Sequence, residues 1–73
     1  MNYMDLYNAC ECRANKGLTE LEEYVNGNKN LIYTTSEWNG IITVEVEYFA
    51  DDDCILTEIL GVWEFNLKGF LIE

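Results

Sequence analysis

The segment NLIYTTSEWNGIITVEVEYF, residues 30–49, carries the strongest structural signal in this chain. Asn39-Gly40 lies at its centre, and an Asn-Gly pair between two strand-like runs is the sequence most typical of a two-residue β-hairpin turn. Alternation along the second run places Ile42, Val44, Val46 and Tyr48 on one face and Thr43, Glu45, Glu47 and Phe49 on the other. The segment therefore predicts two antiparallel strands, 30–38 and 41–49, with the acidic residues on one face.

Further strands are predicted after the hairpin. The run CILTEILGVWEF (54–65) has the composition of a strand, and Gly61 within it predicts a bulge or a bend. The residues NLKG (66–69) then predict a turn into a short last strand, FLIE (70–73). The whole chain has 73 residues, so we expect one small domain, 1–73, without linkers.

The first third of the chain predicts helix instead. Apolar residues recur there every three or four positions: Tyr3, Tyr7, Cys10, Ala14, Leu18, Leu21 and Val25. Gly17 interrupts this run, and Thr19 with Glu22 has the spacing of a capping box. We expect two helices, 2–15 and 19–26, with one kinked helix as the alternative. The predicted fold class is α+β, with an N-terminal helical segment of one or two helices packed on a three- to four-stranded antiparallel β-meander.

Charge is the most unusual property of the composition. Fourteen acidic residues face four basic ones, which gives a formal net charge of −10. This exceeds the net charge of about 2–8 that is enough to keep a small domain soluble, and repulsion of this size destabilises a compact chain. Nucleic acid and anionic membranes have the same sign of charge and would repel it. We therefore expect no direct nucleic-acid or membrane partner, and a basic protein surface instead.

The sequence gives little support to metal binding or catalysis. Calcium loops place their ligands at alternate positions around a glycine, unlike Asp51-Asp52-Asp53. Structural zinc sites use four cysteine or histidine ligands, and this chain has three cysteines and no histidine. A chain of this length also leaves little room for a substrate pocket. We therefore predict a protein that is not an enzyme and needs neither metal nor cofactor.

The expected compartment is the cytosol. No signal-peptide pattern opens the chain, and its apolar runs are far shorter than the ~20 residues of a membrane span. An odd number of cysteines does not predict a disulfide framework.

The candidate partner-binding residues are the acidic and aromatic side chains of the hairpin and its neighbours. They are Glu37, Glu45, Glu47, Phe49, Asp51, Asp52, Asp53 and Glu58, and Glu64 on the next strand is a further candidate for the same face. Carboxylates on one face of a sheet would be spaced at roughly 5–7 Å, comparable to phosphates along a nucleic-acid strand. Because like charges side by side destabilise a sheet, folding alone does not favour this array. An ordinary solvated surface is the alternative interpretation.

In size and charge alone, the chain resembles the phage-encoded DNA-mimic inhibitors that block restriction, repair or CRISPR nucleases. That resemblance implies a small inhibitor, encoded by a phage or mobile element, which blocks a nuclease or another DNA- or RNA-binding protein by phosphate mimicry. For a phage-encoded protein, the compartment would be the cytosol of the host cell. A second hypothesis stays open. The chain would then be a structural or adaptor module that forms a homodimer or larger homo-oligomer through a sheet edge, for which FLIE is a candidate.

Overall fold

The computed structural model describes the backbone of residues 3–49 and 57–72 and the side chains of 4–49 and 58–72. Within these residues, helices α1 (Tyr3–Lys16) and α2 (Leu18–Asn26) precede strands β1 (Leu31–Trp38), β2 (Ile41–Phe49) and β3 (Thr57–Asn66). The strands form one antiparallel sheet in the order β1-β2-β3. The predicted α+β class, with a helical segment followed by a β-meander, is confirmed.

The β1–β2 hairpin forms where the Asn-Gly pair predicts it. Asn39 has φ 54° and Gly40 has φ 79°, and positive φ at both positions is what a two-residue type I′ turn requires. The turn sets the register, in which Trp38 pairs with Ile41. Because side chains alternate along a strand, this register places the side chains of Val44 and Val46 together on one face, where both are fully buried.

Both helices pack on that face, which we call the inner face of the sheet. Helix α2 contacts β1, and α1 contacts β3. The core consists of Leu6, Cys10, Ala14, Leu21 and Val25 from the helices and Leu31, Val44, Val46, Leu60, Trp63 and Phe65 from the strands. The predicted helical face is thus confirmed at Cys10, Ala14, Leu21 and Val25, which are all buried. The core also includes Leu6, which the predicted apolar pattern omitted.

The junction between the helices differs from the predicted capping box. Helix α2 begins at Leu18, so Thr19 lies inside it, and Gly17 occupies the N-cap position without any side-chain hydrogen bond. The N–H of Leu18 instead donates to the carbonyl oxygen of Gly69 at 2.8 Å. The turn after β3 therefore supplies the hydrogen-bond acceptor for the first N–H of α2. This contact joins distant parts of the sequence, so a local capping pattern does not include it.

Strand β3 contains the predicted irregularity at Gly61. Val46 pairs with Gly61 and Glu47 pairs with Ile59, so Leu60 is an extra residue in β3, which defines a β-bulge. A Cβ atom at Gly61 would lie 2.6 Å from the Trp63 ring, and the glycine therefore makes room for that buried ring. The predicted fourth strand is reduced to a single bridge between Leu71 and Phe65 within the described residues.

Candidate protein-binding surface

The second face of the sheet, which we call the outer face, points away from both helices. Three of its rows run across all strands: Ile32–Glu47–Ile59, Thr34–Glu45–Val62 and Ser36–Thr43–Glu64. Ile32, Ile59 and Val62 are 46%, 55% and 51% exposed. No helix or strand in the described parts of the chain covers this face.

Three carboxylates come together on the outer face. Glu45 and Glu47 lie two residues apart on β2, about 6.8 Å along the strand. Glu64 on β3 pairs with Thr43, so it is a diagonal neighbour of Glu45 at about 7–8 Å. The structure therefore brings the predicted Glu45 and Glu47 together with Glu64 in an open triangle. Glu45 is its apex, about 7–8 Å from each of the other two, which lie about 14 Å apart; we call this set the carboxylate triangle.

Two predicted residues lie on the other side of the sheet. Glu37 pairs with Ile42 and Glu58 pairs with Tyr48, so both belong to the inner face, where they are exposed beyond the cover of the helices. The expectation that they extend the array of Glu45 and Glu47 is therefore wrong. Alternation through the hairpin turn predicts the position of Glu37. The position of Glu58 depends on the extra residue Leu60, which reverses the alternation of β3 at the bulge.

Phe49 lies on the outer face at the end of β2 and is half-buried. Its N–H donates to the carbonyl oxygen of Asn30 at 3.0 Å, and the Asn30 side-chain amide donates back to the Phe49 carbonyl oxygen at 3.1 Å. These two hydrogen bonds fix the backbone of Phe49 beside the start of β1. The remaining candidates, Asp51-Asp52-Asp53, lie outside the described residues.

Exposed aliphatic side chains alternate with the carboxylates. Ile32 and Ile59 flank Glu47 in one row, and Val62 lies beside Glu45 in the next. Lysine and arginine side chains combine a long apolar stem with a charged head. A surface of this mixed kind can therefore contact such stems through its aliphatic groups and the charged heads through its carboxylates.

A groove of about 450 Å³ opens beside the outer face, between α1, β3 and the C-terminal segment that contains Leu71 and Ile72. Its polar lining consists of Tyr7, Glu11, Asn15 and Glu64, and its remaining lining consists of Val62, Trp63, Leu71 and Ile72. Because Val62 and Glu64 belong to both, the groove and the outer face form one continuous surface.

The wall of the groove is built around one hydrogen bond between distant residues. The indole Nε1–H of Trp63 donates to Glu11 Oε1 at 2.6 Å, and the rings of Tyr7 and Trp63 lie 5.7 Å apart. No motif in the sequence predicts this site. A partial signal was present, because Tyr7, Glu11 and Asn15 follow one another at intervals of four and so share one side of a helix.

The cysteines differ sharply in their surroundings. Cys10 is fully buried, and burial raises the pKa of its thiol to about 11, so it stays protonated and unreactive at neutral pH. Cys12 is exposed. Among the described residues, no three His, Cys, Asp or Glu side chains lie close enough together to hold a metal ion.

The described helices are too short and too polar for either of them to cross a membrane. No family model matches the chain, and no curated protein or solved structure is significantly similar to it. The features that bear on function are therefore the geometry and charge of the outer face and the groove.

Proposed function

We propose that this protein is a small inhibitor, encoded by a phage or mobile element, that binds the basic nucleic-acid-binding surface of a nuclease or another DNA- or RNA-binding protein. The outer face of the sheet would make the contact. The observation that carries the proposal is the carboxylate triangle of Glu45, Glu47 and Glu64, on a face that no described helix or strand covers, in a domain whose net charge is −10.

Phosphate mimicry follows from the chemistry of the expected partner. The arginine guanidinium presents parallel N–H groups that match a carboxylate as well as they match a phosphate. Carboxylates about 7 Å apart have a separation comparable to that of successive phosphates in one strand. A basic groove that binds nucleic acid would therefore accept the carboxylate triangle in the same positions, and the bound inhibitor would exclude the nucleic acid.

The aliphatic side chains of the outer face add an interaction that a phosphate backbone lacks. Ile32, Ile59 and Val62 are about half exposed, and burial of apolar surface contributes roughly 25 cal/mol per Å². Charge would bring the partners together quickly and make association salt-sensitive. Apolar burial would then slow dissociation, so the inhibitor could compete with a nucleic acid that binds through charge.

The test is affinity capture from a bacterial lysate at low salt with three immobilised proteins. They are the wild type, the outer-face variant E45Q/E47Q/E64Q, and the control E20Q/E22Q/E23Q, which removes the same charge from α2. We expect the wild type and the control to capture the same nucleic-acid-binding protein and the outer-face variant to lose it.

Duplex DNA or RNA should release that protein, as should about 0.5 M salt. Equal loss from both variants would indicate unspecific charge attraction, and retention by the outer-face variant would exclude this face.

A second candidate function, an adaptor module that forms a homo-oligomer, is favoured by one observation on β1. Residues 34–39 are exposed, and Trp38 at the end of this edge strand is 77% exposed. The predicted FLIE edge is less suitable, because the N–H of Ile72 already donates to the carbonyl oxygen of Glu64. Self-association would raise the melting temperature with protein concentration. A molar mass that stays at one chain across a hundredfold range of concentration in light scattering would exclude it.

A further inference from the structure

We propose that the groove between α1 and β3 binds a guanidinium group, supplied by an arginine side chain of the partner. The identification of arginine as the source of the guanidinium rests on the proposed function, because it assumes a basic protein partner. The groove's chemistry is a separate matter, and it can be tested with a small ligand whether or not the partner is known.

The lining of the groove suits both parts of an arginine side chain. Val62 and Leu71 offer apolar surface for the aliphatic stem. Glu11 on α1 and Glu64 on β3 supply carboxylates from two different elements. The guanidinium is planar and has five N–H donors, so it can bond to two carboxylates at once, whereas the lysine ammonium is a compact point charge.

Glu11 is held in position before any ligand arrives. Its Oε1 accepts the hydrogen bond from Trp63 Nε1 at 2.6 Å, and Trp63 is only 6% exposed. A carboxylate has about four acceptor positions on two oxygens, so one N–H leaves most of them for a ligand. A side chain that is already ordered loses less conformational entropy on binding.

The aromatic groups of the groove favour the same ligand. The ring of Tyr7 lies 5.7 Å from that of Trp63, measured between centroids, and both line the groove. Guanidinium groups stack on aromatic faces more readily than ammonium groups do. Trp63 is itself buried, so the half-buried Tyr7 supplies the aromatic surface beside the two carboxylates.

The negative charge of the groove is not offset by its own lining. None of the eight described lining residues is basic. Arg13, which lies on α1 near Glu11 in sequence, stands over the Tyr24 ring of α2 at 5.1 Å. Glu64 also belongs to the carboxylate triangle, so a partner that contacts the outer face can place an arginine in the groove without a second interface.

The experiment is an NMR titration that follows the two indole N–H resonances, assigned with the variant W38F. The probe is a capped Ala-Arg-Ala peptide, and the controls are the same peptide with lysine or with citrulline, which is neutral and nearly identical in shape. We expect the arginine peptide to shift the Trp63 resonance with a Kd in the millimolar range, about 1–10 mM, and to leave that of Trp38 unchanged. Lysine should bind several-fold more weakly, and citrulline should not bind.

Two variants and one control identify the carboxylates. E11Q and E64Q should each weaken arginine binding about tenfold, because each replaces a charge-assisted hydrogen bond by a neutral one. E11Q keeps an oxygen that can accept from Trp63, so the fold is retained, and a dispersed amide spectrum verifies this. E22Q on α2 removes a charge outside the groove and should bind like the wild type.

The outcomes separate the groove from the proposed function. No Trp63 shift at about 20 mM arginine peptide, or equal shifts with citrulline, would overturn the guanidinium site even if the outer face captures a nucleic-acid-binding protein. A specific arginine response together with failed capture would instead support the groove and contradict the inhibitor proposal.

Discussion

Val44 and Glu45 are neighbours in β2, yet their side chains belong to opposite faces of the sheet with opposite properties. Val44 is fully buried under the helices together with Val46 and Phe65. Glu45 lies on a face that no helix or strand of the described residues covers, next to Glu47 and Glu64. Burial stabilises the fold, whereas adjacent like charges destabilise it. The inner face therefore explains why the chain folds, and the composition of the outer face requires another explanation.

Strand β3 shows how the two faces are kept apart. Without the bulge, Glu58 and Leu60 would share the face of Val62 and Glu64. The extra residue changes this assignment, so that Leu60 is buried in the core while Ile59 and Val62 are exposed. One bulge thus places a large apolar residue inside and confines the described carboxylates of the outer face to Glu45, Glu47 and Glu64.

The largest effect is expected from truncation on the inner face. Phe65→Ala should lower the free energy of unfolding by about 3–5 kcal/mol, because it leaves a cavity at a fully buried position. This is comparable to the whole stability of a domain of this size, about 5 kcal/mol, so the variant should be largely unfolded. Val62→Ala, three residues away on the outer face, should cost less than about 1 kcal/mol.

Urea denaturation followed by tryptophan fluorescence measures both variants under the same conditions. If Val62→Ala destabilised the protein as much as Phe65→Ala does, the outer face would itself be buried in solution. The distinction between the two faces would then fail, and the homo-oligomer would become the better proposal.

Helix α1 allows the same comparison through two thiols. Burial raises the pKa of the Cys10 thiol from 9.0 to about 11. Between these pH values the unfolded thiol loses its proton while the folded one keeps it, so the contribution of Cys10 to stability is complete below pH 9 and is lost as the pH rises towards 11. The difference in stability between wild type and Cys10→Ala should therefore shift against the wild type by about 1.4 kcal/mol per pH unit in that window.

Chemical denaturation at several pH values from 8 to 11 measures this difference, and comparison with Cys10→Ala cancels the titration of all other groups. Cys12→Ala, which removes an exposed thiol two residues away, is the matched control. A difference between wild type and Cys10→Ala that does not change with pH would show that solvent reaches the buried side of α1.

Local patterns in the sequence predicted most of this fold. Asn39-Gly40 specifies a turn within four residues, and the register and inner face of the hairpin follow from it. The start of α2 was not predictable in this way, because the group that accepts the N–H of Leu18 is the carbonyl of Gly69, at the far end of the chain. A local pattern at Thr19 and Glu22 contains no information about that contact.

The candidate site was predictable only in part, for the same reason. Alternation along one strand placed Glu45 and Glu47 together. The side of Glu58 depends on which residue of β3 is the extra one, and Gly61 predicts a bulge without identifying Leu60. The groove depends on a hydrogen bond between Glu11 and Trp63, which are 52 residues apart. Such a contact exists only once the helices have packed on the sheet.

A smaller effect is expected where the helices are joined to the C-terminal turn. Gly17 has φ 139°, and a Cβ atom there would lie 3.2 Å from the Gly69 carbonyl oxygen. Gly17→Ala should therefore lower the free energy of unfolding by about 1–3 kcal/mol through backbone strain and the displaced turn. The control is Gly27→Ala, because Gly27 ends α2 at φ −83°, where alanine is not strained.

Thermal unfolding of both glycine variants gives the comparison directly. Equal and small losses would mean that the Gly69 turn does not hold the start of α2. In that case the cover of the inner face would depend on side-chain packing alone.

The smallest effect on stability is expected on the outer face, where it separates folding from binding most clearly. Glu45 and Glu64 are diagonal neighbours with like charge, so E45Q/E64Q should leave the free energy of unfolding unchanged or raise it by up to about 1 kcal/mol. Salt screens exposed charges, so any gain should shrink between about 20 mM and 500 mM salt. E37Q, which removes an exposed carboxylate from the inner face, is the control, and urea titrations at both salt concentrations provide the measurement.

A loss of more than about 1 kcal/mol in E45Q/E64Q would mean that these carboxylates serve the fold. A variant as stable as the wild type that no longer captures the partner would show that they serve binding, because the fold loses nothing when their charge is removed.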